Sequence, residues 1–345
     1  MHLFIEYPTW IVPTIIPGLP IRWYSLMYIF AFATTYILVR NQVKKKEFDS
    51  SVDDTINLFI FAIAGLILGA RLFSTLLYDG SWYYWTHPWM IFWPFRNGRF
   101  VGLPGMSYHG GLVGTIVAVI IYCRIHHRRF FEVADVLVAG IPLGYTFGRL
   151  GNFINGELWG RASSVPWAMV FPDAPSYSTN HQWVRDFAER IGIEFSQGAL
   201  INLPRHPSQL YEALFEGVVL WLFLWFIMRP RKQYHGFLLA WYIIGYGFAR
   251  FFIEYVREPD SNLGFVIAWG KNSSETALFT SFLNISMGQI LCMAMIVFGF
   301  VLLFYSRHIH QKQAATAEAM ALKRQQAAIQ GQKARKSSKN KKKRR

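Results

Sequence analysis

The chain has 345 residues, of which 53% are hydrophobic and only 16% charged, with a formal net charge of +15. Apolar character spread over many long runs excludes an ordinary soluble domain and indicates a polytopic membrane protein. The basic residues sit in short connections and one tail rather than on a compact domain, so no nucleic-acid partner is expected.

The amino-terminal stretch from Met1 to Pro20 has no basic n-region and no small-residue cleavage site, and prolines interrupt it. It is not expected to be a removable signal peptide. Crossing the hydrocarbon core takes ~20 helical residues. Seven segments are expected to do so: Trp23–Val39, Ile56–Tyr78, Gly110–Cys123, Phe131–Asn152, Gln209–Met228, Gly236–Tyr255 and Met287–Tyr305.

Charge in the connections sets the orientation. Arg40, Lys44, Lys45 and Lys46 follow the first segment, Arg124, Arg128 and Arg129 the third, and Arg229, Arg231 and Lys232 the fifth. A basic tail with Arg307, Lys312, Lys323 and Arg324 follows the seventh. The positive-inside rule then puts the amino terminus outside and the carboxyl terminus in the cytoplasm. The expected fold is an all-α polytopic membrane protein with seven transmembrane helices and a small periplasmic subdomain. Residues 1–306 form the membrane domain, with an insertion at about 161–207. Residues 307–345 form a basic cytoplasmic tail, part helix and part disordered, placed to contact anionic lipid.

Trp82, Tyr83, Tyr84, Trp85, Trp89 and Trp93 form an aromatic belt in an outer connection. The glycine pairs Gly65/Gly69, Gly110/Gly114 and Gly144/Gly148 are spaced for close helix packing. Cys123 and Cys292 lie inside apolar runs without ligand spacing, so they are read as inert packing thiols. No metal site and no cofactor is expected.

Arg149 closes the fourth segment, in Gly148-Arg149-Leu150-Gly151-Asn152-Phe153-Ile154-Asn155-Gly156-Glu157-Leu158-Trp159-Gly160-Arg161. An arginine there requires an anionic partner. On a straight helix it lies roughly 27 Å from the cytoplasmic end, and Arg250 lies roughly 21 Å along the sixth segment, so both reach the outer level. Tyr246, Arg250 and Glu254 fall at i, i+4 and i+8 and share one helix face. Arg250 with Glu254 is either a helix-locking ion pair or part of a site. Arg149 at the same depth favours the site. Paired arginines match a lipid phosphate, because the guanidinium is a permanent, forked donor. Asn152 and Asn155 offer neutral hydrogen bonds, the glycines up to Gly160 allow close backbone approach, and Glu157 orders the loop. His109 titrates near neutrality; it is either a satisfied interfacial residue or a base.

These residues resemble the signature of prolipoprotein diacylglyceryl transferases. Supporting matches are Trp23-Tyr24, Met106-Ser107-Tyr108-His109-Gly110-Gly111, Arg205-His206-Pro207-Ser208-Gln209-Leu210-Tyr211-Glu212, Gly245-Tyr246-Gly247, Arg250, Glu254, Arg257 with Pro259-Asp260, and Ile285-Ser286-Met287-Gly288-Gln289. The resemblance implies a bacterial inner-membrane transferase. It moves the diacylglyceryl group of phosphatidylglycerol to the lipobox cysteine thiol of a prolipoprotein signal peptide and releases glycerol 1-phosphate. It implies essential roles for Arg149 and Arg250, and important ones for Tyr24, His109, Asn152, Glu157, Gly160, Tyr246 and Glu254. The long basic tail departs from the family core. A lipid or anion transporter using the same arginines is the competing class, and a scaffold with purely structural charges a third. Neither a pairing of two halves nor a midplane site favours the transporter.

Overall fold

The structure, a computed structural model, describes residues 4–16, 22–96, 98–103, 105–259, 264–269 and 276–343, with Arg96 and residues 322–343 described by backbone alone. Asp260, parts of the amino-terminal stretch and the last two residues of the basic tail lie outside the described residues.

All seven apolar segments are helical. α1 spans Trp23–Lys44, and α2, Val52–Phe73, runs on through π-helical turns Ser74–Tyr78. The short α3, Tyr83–Thr86, lies in the aromatic connection before α4, Tyr108–Ile125. The fourth segment is two helices, α5 (Phe130–Val138) and α6 (Ile141–Ile154), and α7 (Gln182–Ile191) belongs to the long outer connection. The fifth comprises α8 (Ser208–Glu212), π turns Ala213–Val219, α9 (Leu220–Leu222) and further π turns Phe223–Met228. α10 is Phe237–Ile253 and α11 is Met287–Lys343. The tail, expected as part helix and part disordered, continues α11 without a backbone break.

Four stretches among the described residues are long and apolar enough to cross a membrane: Val52–Tyr78, Tyr108–Ile125, Ser208–Arg231 and Met287–Ala321. α5 with α6 makes a fifth if counted as one span. The chain is a multi-pass helical membrane protein. α10 is apolar but only 17 residues long, and the 22-residue α1 falls outside that group.

The fourth segment corrects an expectation. It is not one straight helix: α5 and α6 meet at 51°. Ala139 and Gly140 interrupt it and Pro142 restarts it at the first turn of α6, where its missing N–H leaves no bond unmade. The bend shortens the end-to-end distance from the start of α5 to Arg149 below the straight-helix figure.

Small residues let the helices approach closely. A Cβ on Gly69 or Gly114 would collide with backbone of the facing helix, so α2 and α4 are in backbone contact at the expected glycines. Gly144 packs on Ala31 and Thr35 of α1, whereas Gly148 faces open space, so these two do not form a packing pair. At the other end of the bundle, the buried Asp135 of α5 accepts N–H bonds from Gly236 and Leu239, both 2.9 Å, and pairs with Lys232 at 3.1 Å. It thereby caps α10 and neutralises its dipole.

Eight short strands among the described residues form four ladders: β1 (Ile5–Glu6) with β4 (Met169–Val170), β2 (Phe95–Arg96) with β3 (Arg99–Phe100), β5 (Tyr177–Ser178) with β6 (Leu200–Ile201), and β7 (Phe265–Ala268) with β8 (Asn284–Ser286). Around α7, Ala162, Val184, Phe187, Ile191 and Leu203 form a separate apolar core, against which Phe4 and Leu278 pack. This unit is therefore composite, drawing on residues far from 161–207.

Candidate active site

Three helical segments meet around a cluster of opposite charges. α6 supplies Tyr145, Arg149 and Asn152; the α8 segment supplies Glu212 and, within its π turns, Glu216; α10 supplies Tyr246, Arg250 and Glu254. Glu212 stands between the arginines: its Oε2 lies 2.8 Å from Arg149 Nε and 3.3 Å from Arg250 Nη1. Arg250 also reaches Glu216 at 3.5 Å and Glu254 at 3.1 Å. Tyr145 links the halves, donating to Glu216 Oε2 (2.6 Å) and accepting from Arg149 Nε (2.5 Å).

The loop after α6 continues this network. Arg149 Nη1 donates to Asn152 Oδ1 at 3.3 Å, and the amides of Asn152 and Asn155 donate to Glu157 Oε1 at 2.9 and 3.2 Å. Gln209 and Ser208 donate to the carbonyls of Glu157 and Leu158 at 2.6 and 3.0 Å. Leu158 sits at φ +60°, a left-handed conformation costly for a branched side chain and held by these bonds. Glu157 thus gathers the loop's amides, and the side chains of Asn152 and Asn155 serve Glu157 rather than pointing free.

The remaining expected residues divide. Tyr24 lies against Gly151 and contacts the Tyr28 hydroxyl at 3.1 Å, and Tyr28 is near enough to Arg149 and Glu157 to feel both charges. Tyr246 is within hydrogen-bond reach of Tyr108 of α4. His109, one residue on, is exposed, with Nδ1 3.2 Å from the Tyr78 hydroxyl; it stands at the rim, outside the arginine network. Gly160 is not at the charge cluster. Its N–H donates to His206, and a Cβ there would collide with the Val256 carbonyl. The second half of the signature is a clasp: Gly160, Arg161 and Ala162 bond to His206, Val256 and Ala277.

That clasp is lined by buried, hydrogen-bonded cations. Arg161 donates to the carbonyls of Arg257 (2.8 Å) and Leu278 (2.9 Å). Burial draws its guanidinium down to about 10, opposed by Glu254 and Glu258, so it stays charged at neutral pH. Arg205 pairs with Glu258 and donates to the Tyr177 hydroxyl and the Pro175 carbonyl. Burial, with Arg161 nearby, lowers His206 to about 4, and the neutral ring contacts the Tyr211 hydroxyl at 3.2 Å.

A sequence model of the prolipoprotein diacylglyceryl transferase family matches residues 11–305. The chain belongs to this family. It is similar to proteins named phosphatidylglycerol–prolipoprotein diacylglyceryl transferase: that of Treponema pallidum is 48% identical over 325 residues, covering 90% of this chain and 97% of the relative. The Treponema denticola protein is 50% identical over 315 residues, 86% and 93% of the two chains. The Chlorobaculum tepidum protein is 40% identical over 298 residues, 85% and 88%.

Membership in the family gives the motifs physical reasons. Ser286-Met287-Gly288-Gln289 is a capping box that starts α11: Ser286 N–H donates to Gln289 Oε1 at 3.0 Å, and Gln289 N–H to Ser286 Oγ at 3.3 Å. Ser286 also donates to Glu254 at 3.2 Å, and Gly288 leaves room for that carboxylate. Sequence reasoning missed Glu216 and Tyr145 as site members and gave Glu212 no role. Two carboxylates four apart inside an apolar helix were the available signal, on the same grounds that singled out Arg149.

Proposed function

We propose that the chain transfers the diacylglyceryl group of phosphatidylglycerol to the lipobox cysteine thiol of prolipoproteins, forming a thioether and releasing glycerol 1-phosphate. This is the first step of lipoprotein maturation. One observation carries the reading: Arg149 and Arg250 arrive from different helices on one carboxylate while keeping 17% and 12% of their side chains open. Forked cations held at such an opening are donors for a phosphate whose negative charge grows as it leaves. The open space beside Gly148 leaves room for a bulky headgroup next to Arg149.

In this reading the protein is a seven-span enzyme of the bacterial inner membrane, with its amino terminus and site on the periplasmic side. Residues 1–306 form its catalytic domain, and the basic tail rests against anionic cytoplasmic lipid. Tyr24, Tyr246 and Asn155 line the headgroup position, Asn152 and Glu157 hold Arg149 in line, Glu254 aims Arg250, and Gly160 keeps the outer clasp closed. The thiol, with an ordinary pKa near 8.5, loses its proton to His109 at the rim and attacks the glyceryl carbon bonded to phosphate. Purified protein given phosphatidylglycerol and a lipobox peptide in detergent should yield a thioether-linked lipopeptide. Lipid binding with no modified peptide would refute the transferase reading.

A further inference from the structure

The charge balance around Glu212 does not suit an empty phosphate clamp. Arg149 and Arg250 face three carboxylates, Glu212, Glu216 and Glu254, an excess of one negative charge before any lipid arrives. A phosphodiester would raise that excess to two inside a membrane, where unpaired charge is costly. One carboxylate must then become neutral.

The three are not equivalent. Glu216 accepts a hydrogen bond from Tyr145 and Glu254 accepts one from Ser286, contacts suited to ionised oxygens. Neither oxygen of Glu212, which is 1% exposed, receives an aligned hydrogen bond from any described residue. Its only partners are the two guanidinium groups that a phosphate would engage. Tyr145, Tyr108, Tyr246, Tyr242, Tyr28 and Cys292 also face the cluster, and Arg161 beside Glu254 offsets Glu157 beside Asn152, which leaves the excess at one.

We propose that Glu212 takes up a proton as the lipid phosphate displaces it from Arg149 and Arg250, and delivers that proton to the departing phosphate oxygen. The inference rests on the phosphate-site reading above. In the step, the thiolate sulfur bonds to the glyceryl carbon, the carbon–oxygen bond breaks, and its electron pair goes to the phosphate oxygen. That oxygen takes the Glu212 proton, leaving glycerol phosphate as the monoanion and Glu212 as a carboxylate that re-pairs with the arginines. The thiol proton leaves separately through His109. Return of Glu212 to the arginines also helps expel the product, because the carboxylate competes for the same donors.

The test is calorimetric titration of phosphatidylglycerol into the intact protein in detergent at pH 7, in PIPES and in Tris, whose ionisation heats differ. Wild type should take up close to one proton per lipid. Glu212→Gln should bind the lipid with no proton uptake and lose roughly 10²-fold in kcat. A substrate whose leaving oxygen is replaced by sulfur, needing no proton, should recover most of that loss. Arginine-dependent lipid binding by wild type without proton uptake would overturn the role of Glu212 alone, as would normal kcat in Glu212→Gln. Lipid binding unchanged in Arg149→Ala and Arg250→Ala would overturn the phosphate site beneath it.

Discussion

Arg205 of the clasp around Gly160 and Arg149 of the helical layer are both taken out of water, and the protein treats them in opposite ways. Arg205 is fully buried, and its two terminal nitrogens donate to a carboxylate, a tyrosine hydroxyl and backbone carbonyls. Arg161 is handled alike. Arg149 and Arg250 stay partly open and meet side-chain carboxylates, one of which they share. A cation tied to backbone cannot exchange partners without unfolding something. A cation tied to a movable carboxylate can. The contrast separates arginines that hold the fold from arginines free to take a ligand.

Alanine replacement breaks the comparison most severely on the helical side. Arg149→Ala or Arg250→Ala should reduce diacylglyceryl transfer by at least ~10²–10³-fold, read by lipopeptide formation in protein confirmed folded by thermal unfolding. Lysine at either position should restore only part of the loss, because a point charge lacks the fork. Arg205→Ala should act chiefly on stability. Removing it strands Glu258 and several carbonyls, at a cost of ~3–5 kcal/mol of stability that thermal unfolding would detect.

Two titrations sharpen the same division. His109→Asn should lower kcat and change the pH–rate profile; an unchanged profile would move the thiol base elsewhere. His206, held near 4 in the folded protein, lies below the ordinary value of ~6.5 of an unfolded chain. Between those values the unfolded state binds the extra proton. Stability is complete above pH 6.5 and declines as the pH falls toward 4, a small effect that His206→Asn should flatten.

The helices were legible because ~20-residue apolar runs have few alternatives, and the capping box before α11 is explicit in Ser286 and Gln289. Arg149, Arg250 and Glu254 stood out because charge in such runs is rare. The 51° bend was less visible, although Gly140 and Pro142 mark it, because the segment's apolar length reads as one span. The π turns carrying Glu216 leave no mark in residue type. The clasp around Gly160, Arg161 and His206 joins residues from 45 to 117 positions apart, so no local pattern announces it.

The central claim is that Arg149 and Arg250 together hold a lipid phosphate. Saturable binding of fluorescent phosphatidylglycerol to wild type, to the Arg149→Ala/Arg250→Ala double variant and to Arg205→Ala, all confirmed folded, tests it most directly. The account predicts that the double variant loses saturable binding while Arg205→Ala keeps it. Equal affinity in wild type and the double variant would contradict it.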